Sequence, residues 1–380
     1  MIEPESHQLL RSEIAERIRA DRALLEGLRN EIRPLHQAIR RIQPRTTTSI
    51  SLVGTDGGNN SLQFDPFLVQ LIRVVDSSNN EYCLQAITPS TSVGTLSRAQ
   101  FDAEDRPCTP LGSLMRDINV RTLPELSHMI RSTEDDRPKS TSWVQVYREL
   151  VEWATLYAIL KKDFGTDTLI IFDGLLRSKV FAKDNFKTFL GLMSDAIEDQ
   201  YRKNRRRIYL VGVAKHSKVL ARYRLAMSLE QVLTSSYPCY VEIPRDLEEK
   251  AYVWSEYARG DDRELGSGEI NKFVGGKMFF VKFGSGTRDP IWPIDIFLPQ
   301  CQQAQAILGY LLADAIDGFP VPLYPRCLQK AHENAALVDF DFDVLQDEIF
   351  AGVREVLGRD APVLDAFRLQ DADVSRLRYG

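Results

Sequence analysis

Residues 168–176 read TLIIFDGLL. Leu169, Ile170, Ile171 and Phe172 form an apolar run with no polar alternation, which predicts a short strand buried on both faces, and the run stops at once on Asp173-Gly174. Immediately upstream, WVQVYRELVEWATLYAILKK predicts a strong helix over 142–163, so a helix feeds directly into the strand. Downstream the alternation continues with a helix at about 183–203, the strand IYLVGV at 208–213 and a helix at about 217–234. Strands MFFVKF (278–283) and PIDIFL (293–298) and a helix at 301–316 follow. Such alternation belongs to the α/β class.

Further upstream, SISLVGTD (49–56), FLVQLIRVV (67–75) and EYCLQAI (81–87) read as a three-stranded meander, with GGNN and DSSNN as turn clusters. A meander followed by helix, strand, helix, strand, helix is the element order of the ribonuclease H-like fold. The expected fold class is therefore α/β, a ribonuclease H-like mixed sheet with flanking helices. Residues 88–140 are polar and Pro-containing, with little periodicity apart from a helix near 110–130, and read as an insertion. Residues 5–42 read as an amphipathic helix or helix pair, with Leu9, Leu10, Ile14, Ile18, Leu24, Leu25, Leu28 and Ile32 at helical spacing and Pro34 bending or dividing it. An apolar stripe does not say what it packs against, so this arm either covers the body or contacts a partner. Three parts are expected: an N-terminal helical arm (1–45), the α/β body (46–336) and an acidic tail (337–380).

The chain has 380 residues, 48 Lys or Arg against 53 Asp or Glu, and a net charge of -5, which excludes a uniformly basic polyanion binder. With 43% hydrophobic and 27% charged residues it is an ordinary globular composition. Five scattered cysteines without a C-x-x-C pair argue against a disulfide framework or a thiolate zinc site. No stretch approaches the roughly 18 apolar residues of a membrane span, and MIEPESHQLLRSEIAER is too charged for a signal peptide, so a cytoplasmic protein without membrane contact is expected.

Two strands end alike, on Asp56-Gly57-Gly58 and on Asp173-Gly174. Asp-Gly is a common turn dipeptide, and either alone is as readily a turn as a site. Together they place two carboxylates at strand ends, where small following residues let a ligand approach. Converging carboxylates are hard oxygen ligands for Mg or Mn, ions that activate water and stabilise a leaving oxygen in phosphodiester cleavage. Glu149 and Glu152 share a face of the 142–163 helix, and either could supply a third acid. From Arg177 to Arg224 there are 13 Lys or Arg and 4 Asp or Glu, among them Arg177, Lys179, Arg205, Arg206, Arg207, Lys215 and Lys218. Charge runs are usually solvated faces, but one that starts four residues after Asp173 is placed to steer a phosphate backbone. His332, early in a helix after FPVPLYP, is structural or else a ligand or proton shuttle. Gly275-Gly276-Lys277 lacks the upstream glycine of a P-loop, and no G-x-S-x-G, H-E-x-x-H or G-x-G-x-x-G element is present.

The set Asp56-Gly57-Gly58, Glu152, Asp173-Gly174-Leu175-Leu176, VGVAKHSKV (211–219) and FPVPLYPRCLQKAHENA (319–335) resembles the NurA nuclease family over roughly residues 45–336. The resemblance implies a ribonuclease H-like NurA-type nuclease domain and a Mn-dependent 5'-to-3' DNA exonuclease with single-strand endonuclease activity. It also implies a homodimer docked on the hexameric ATPase HerA, serving DNA end processing, repair or antiviral defence. Asp56 and Asp173 would be metal ligands, Glu152 would complete the cluster with Glu149 as the alternate, and His332 would match the family's late histidine. The family's turn tyrosine position reads Phe319 here, and whether Tyr324 replaces it or packs is open at this point. That substitution sustains a competing reading as a scaffold without catalysis. An aspartate-dependent phosphatase would want D-x-D, and position 175 is leucine.

Overall fold

The computed structural model describes residues 3–46, 50–64, 67–88, 91–131, 142–252, 272–336 and 339–362. From the N-terminus run α1 (Pro4–Ala20), α2 (Arg22–Ile32), a 3-10 turn (Arg33–Ala38) and the two-residue strand β1 (Arg40–Arg41). The meander β2 (Ile50–Phe64), β3 (Phe67–Asp76) and β4 (Glu81–Ile87) precedes the short helices α3 (Val93–Arg98), α4 (Pro110–Asp117) and α5 (Leu123–Leu126). The long helix α6 (Trp143–Leu160) leads into β5 (Asp167–Asp173), then α7 (Asn185–Asn204), β6 (Ile208–Val213), α8 (Lys218–Leu229), β7 (Cys239–Glu242) and α9 (Arg245–Lys250). Last come β8 (Gly276–Lys282), β9 (Ile291–Phe297), a 3-10 segment (Leu298–Gln303), α10 (Ala304–Ile316), α11 (Arg326–Ala335) and α12 (Asp339–Leu357).

Among the described residues, nine strands form one mixed sheet in the order β1-β7-β8-β9-β6-β5-β2-β3-β4. The meander is antiparallel, while β5 lies parallel to both β2 and β6. The α/β class and the expected succession of meander, helix and strand are thus present. GGNN is not a turn: β2 continues through Gly57-Gly58-Asn59-Asn60 because β3 pairs with it as far as Phe64 opposite Phe67. Asp56 is consequently inside a long hairpin strand, although it is the first residue beyond the β2–β5 pairing, which ends at Thr55 opposite Phe172. β7 was not anticipated from the sequence; at four residues it carries too little pattern to register.

Alternation along β5 splits the core. Leu169 and Ile171 join α10 and α11 on one face, and Ile170 and Phe172 join α6 and α7 on the other. A separate cluster packs α2 and α8 against β7 and β8. Helix α6 is apolar on all but one stripe and is buried on most sides, and α3 to α5 supply the outer cover through Leu96, Leu111, Leu114, Met115 and Leu126. The 91–131 segment, polar in sequence, therefore carries part of the core. Thr109 caps α4, and Thr122 with Glu125 forms a capping box on α5.

The arm divides at Asp21 rather than at Pro34, which sits in the 3-10 turn. Its halves differ. Leu28 and Ile32 pack on the α8 cluster, whereas Leu9, Ile14 and Ile18 of α1 are 74%, 47% and 65% exposed. Arg29 and Arg33 both reach Glu230 at the end of α8, at 2.5 and 2.8 Å. Hydrogen bonds from Arg33 and then Arg29 hold the Glu230 carboxyl down at about 2. A lowered folded-state pKa contributes stability above the ordinary glutamate value, lost as pH falls toward the folded one. The arm should therefore stay docked at neutral pH and loosen between about pH 4.5 and 2, and Glu230→Gln should loosen it at pH 7. Amide hydrogen exchange in 22–38 at pH 7 and pH 3 tests this, with equal protection of α2 relative to α8 in both proteins as the contrary result.

Candidate active site

Asp173 closes β5, and the chain then turns sharply. Gly174 has φ +143°, a conformation that side chains other than hydrogen rarely adopt, and its N–H donates to the Val213 carbonyl at 2.9 Å. The turn crosses β6 at Gly212, where an added Cβ would lie 2.3 Å from the Gly174 carbonyl oxygen. The V-G-V of β6 is thus needed for the loop after Asp173 to sit flat on the sheet. On the neighbouring strand, Gly54 meets the Cys327 carbonyl of α11, where a Cβ would stand 2.6 Å from its oxygen.

The polar positions Gln145, Arg148, Glu149 and Glu152 recur at helical spacing on the otherwise buried α6. With Asp173, Gly174, Lys179 and Phe172 they line a cleft of about 440 Å³. Each carboxylate has a defined partner. Asp173 accepts from the Lys215 ammonium at 3.1 Å and from the Tyr324 hydroxyl at 3.2 Å. Glu152 pairs with Arg148 at 3.1 Å, and Glu149 accepts from the Ser178 hydroxyl at 2.6 Å. Burial pushes the Glu149 carboxyl up, with the Ser178 hydrogen bond opposing.

Asp56 occupies the register position beside Asp173 on the adjacent parallel strand, one residue past the Thr55–Phe172 pair; its side chain lies outside the described residues. Among the described residues no group of three His, Cys, Asp or Glu side chains is gathered closely enough to hold a metal ion. The cleft carboxylates have the hard-oxygen chemistry that Mn or Mg takes, and the backbone register makes Asp56 the position from which a further ligand would come.

Tyr324 is buried, packs edge-on against Trp292 and reaches Asp173, whereas Phe319 is 81% exposed. His332 is exposed on α11, on the face of the sheet opposite the α6 cleft, and the structure does not bring it to Glu149 or Glu152. Lys179 lines the cleft, and Lys215 and Lys218 follow β6 at the same end as Asp173. Arg205, Arg206 and Arg207 do not. They precede β6, where the Arg207 carbonyl accepts from Thr168 near the start of β5, about 17 Å of strand from Asp173.

Arg177, expected to hold phosphate, is instead buried. Its guanidinium binds both Asp295 oxygens at 2.7 Å and Glu248 at 2.5 Å, with both acids fully enclosed. Burial alone would lower its pKa, but the Asp295 and Glu248 charges outweigh that and hold it well above the usual value. Gly276 leaves the room, since a Cβ there would lie 2.6 Å from that of Asp295. Sequence reasoning missed this triad because partners 118 and 71 residues away leave no local pattern; it also missed Ser178, 29 residues from Glu149, and Arg148, whose i,i+4 spacing to Glu152 was a readable signal.

No family model matches the chain, and no curated protein matches it. The chain is similar to the solved structure of the NurA nuclease from Sulfolobus solfataricus, at 14% identity over 95% of this chain and 98% of that one, TM-score 0.47. A second NurA structure is 11% identical over 95% and 100% of the two chains, TM-score 0.44. NurA bound to dAMP and manganese is 10% identical over 93% and 99%, TM-score 0.42. These likenesses extend over most of the chain. Among the described residues, no helix is long and apolar enough to cross a membrane.

The two basic residues flanking the cleft should behave oppositely. Arg177→Ala removes the guanidinium from enclosed Asp295 and leaves enclosed Glu248 with Arg245 alone at 3.2 Å, and should cost about 3–5 kcal/mol in urea unfolding. Lys179→Ala, at an exposed position, should stay within about 0.5 kcal/mol. Equal stability of the two variants contradicts the placement of Arg177 as an internal anchor.

Proposed function

We propose that this chain is a divalent-metal-dependent nuclease that hydrolyses DNA phosphodiesters, with a ribonuclease H-like core of β2 to β6. The observation that carries the reading is the register that sets Asp56 beside Asp173 on paired parallel strands, just past the last β2–β5 pair, with Asp173 lining the cleft that the polar stripe of α6 also lines. Asp56, Asp173 and Glu152 would hold Mn or Mg, with Glu149 as the alternate. Bound there, the ion would supply Lewis-acid charge for water activation and for the leaving oxygen.

The protein's own groups do the positioning. The Tyr324 hydroxyl and Lys215 ammonium fix the two Asp173 oxygens in different directions. Arg148 holds Glu152 on the cleft wall. Lys179 and Lys215, with Lys218 beyond, bring positive charge to the phosphate backbone. The scaffold reading rests on the missing turn tyrosine; the Tyr324 hydroxyl on Asp173 supports the enzymatic reading over it.

From the resemblance to the NurA family, we further propose 5'-to-3' exonuclease and single-strand endonuclease activity in DNA end processing, repair or antiviral defence. The chain would act as a homodimer with a HerA-type hexameric ATPase. The exposed Leu9, Ile14 and Ile18 row on α1 supports a partner-contact role for that half of the arm.

The test incubates the protein, with and without its motor, with end-labelled single- and double-stranded DNA in Mn, Mg or EDTA. Cleavage is expected with Mn and lost in EDTA, and Asp173→Asn should slow it at least about a hundredfold. No cleavage under any condition, or cleavage indifferent to Asp173→Asn, overturns the proposal.

A further inference from the structure

A second cleft, about 860 Å³, opens at the N-terminal ends of β5 and β6, at the end of these strands remote from Asp173. Its walls come from α7, the start of β6, the Leu298–Gln303 segment and α10, and they carry Arg45, Arg202, Arg207, Tyr201 and Tyr310. Lys203, Arg205 and Arg206 stand exposed beside it. The cations and rings are interleaved: the Arg45 guanidinium lies 5.8 Å from the Tyr310 ring centre, and that of Arg205 lies 5.6 Å from Tyr201, itself 47% exposed. Tyr209 backs Tyr310 at 6.4 Å.

The wall is rigidly built. Gln300 donates to the Ile208 carbonyl at 2.6 Å and accepts from Leu210 N–H at 2.9 Å, bolting the Leu298–Gln303 segment to β6. The Asp167 carboxylate accepts from Arg207 N–H at 2.8 Å. Two acids, Asp167 and Glu198, share the cleft, and Glu198 engages Arg202 at 2.6 Å. Asp199 engages Lys203 at 3.1 Å and the Asp167 charge offsets that of Arg207, so the surplus positive charge rests on Arg45, Arg205 and Arg206.

We propose that this cleft is a holding site for single-stranded DNA, with the arginines on phosphates and Tyr201 and Tyr310 stacking on unpaired bases. Arginines alternating with accessible rings suit a strand whose bases are free to stack, and a duplex hides those faces. The identity of the strand as DNA rests on the nuclease reading above; the site itself does not require cleavage. About 20 Å of β5 separates it from the carboxylates, so a strand held here has the length of a central strand to cover before reaching the cleft of Asp173. The basic run thus serves as a remote hold rather than a cradle for the scissile phosphate.

The test uses full-length Asp173→Asn protein in EDTA, where cleavage plays no part, and the fluorescence anisotropy of a 5'-labelled 20-nucleotide oligothymidine between 50 and 200 mM KCl. Adding Arg206→Ala and Arg207→Ala should weaken binding at least tenfold and reduce the slope of log affinity against log salt by about 1.4. Adding Tyr201→Ala, at an exposed position, should weaken binding at least fivefold with an unchanged thermal midpoint. Unchanged affinity in the arginine variant overturns the proposal, and so does displacement of the oligonucleotide by polyglutamate as readily as by unlabelled strand, which would assign the cleft to an acidic protein segment. A wild-type protein that cuts DNA while the remote variants bind normally sinks this site alone. A protein that never cuts but loses binding in these variants keeps the site and sinks the nuclease reading.

Discussion

The parallel pairing of β2, β5 and β6 is the constraint on which the candidate site depends. Thr55 stands opposite Phe172, and Phe172 opposite Gly212, so Asp56 and Asp173 follow at one level. A one-residue slip would send every side chain of β5 to the other face and exchange Leu169 and Ile171 for Ile170 and Phe172 in the two core layers. Glycine makes the pairing possible at two points: Gly54 admits the α11 backbone, and Gly212 admits the loop that leaves Asp173. Register, core packing and the placing of Asp56 beside Asp173 along the backbone follow from one strand pairing.

Electrostatics divides the molecule's charges into two kinds. Asp173 and Glu152 each face a partly exposed cation, Lys215 and Arg148, in pairs that a ligand's charge can reorganise. Arg177 with Asp295 and Glu248 is enclosed and fixed, and it ties the loop after β5 to β9 and α9. Pairs of the first kind hold little energy and suit a site; an enclosed set is costly to break and suits an anchor. The sequence places Arg177 and Lys179 two residues apart, yet the fold assigns one to each kind.

Where periodicity was strong, the sequence was legible. The apolar run at 168–172, the helix ahead of it and the strands at 208–213, 278–283 and 293–298 are all present as elements. Asp-Gly read correctly at Asp173, where the chain does turn, and incorrectly at 57–60, because pairing with β3 overrode local turn chemistry. Glu149 and Glu152 were traceable from helix spacing beside a buried strand. The burial of Arg177, the hydrogen bond from Tyr324 to Asp173 and the distance of Arg205–Arg207 from the cleft were not, since each depends on long-range topology rather than spacing. For the same reason, the polarity of 88–140 hid the leucines that cover α6.

The two clefts lie at opposite ends of the same strands, one lined by carboxylates where β5 stops and one by arginines and tyrosines where it starts. The proposed nuclease requires that Asp56 and Asp173 share one ion. Electron paramagnetic resonance of added Mn reports the bound fraction directly, without any substrate. Asp56→Asn and Asp173→Asn should each weaken Mn binding more than tenfold while the fold is retained; Mn held as tightly by either variant as by the native chain would rule out a shared ion.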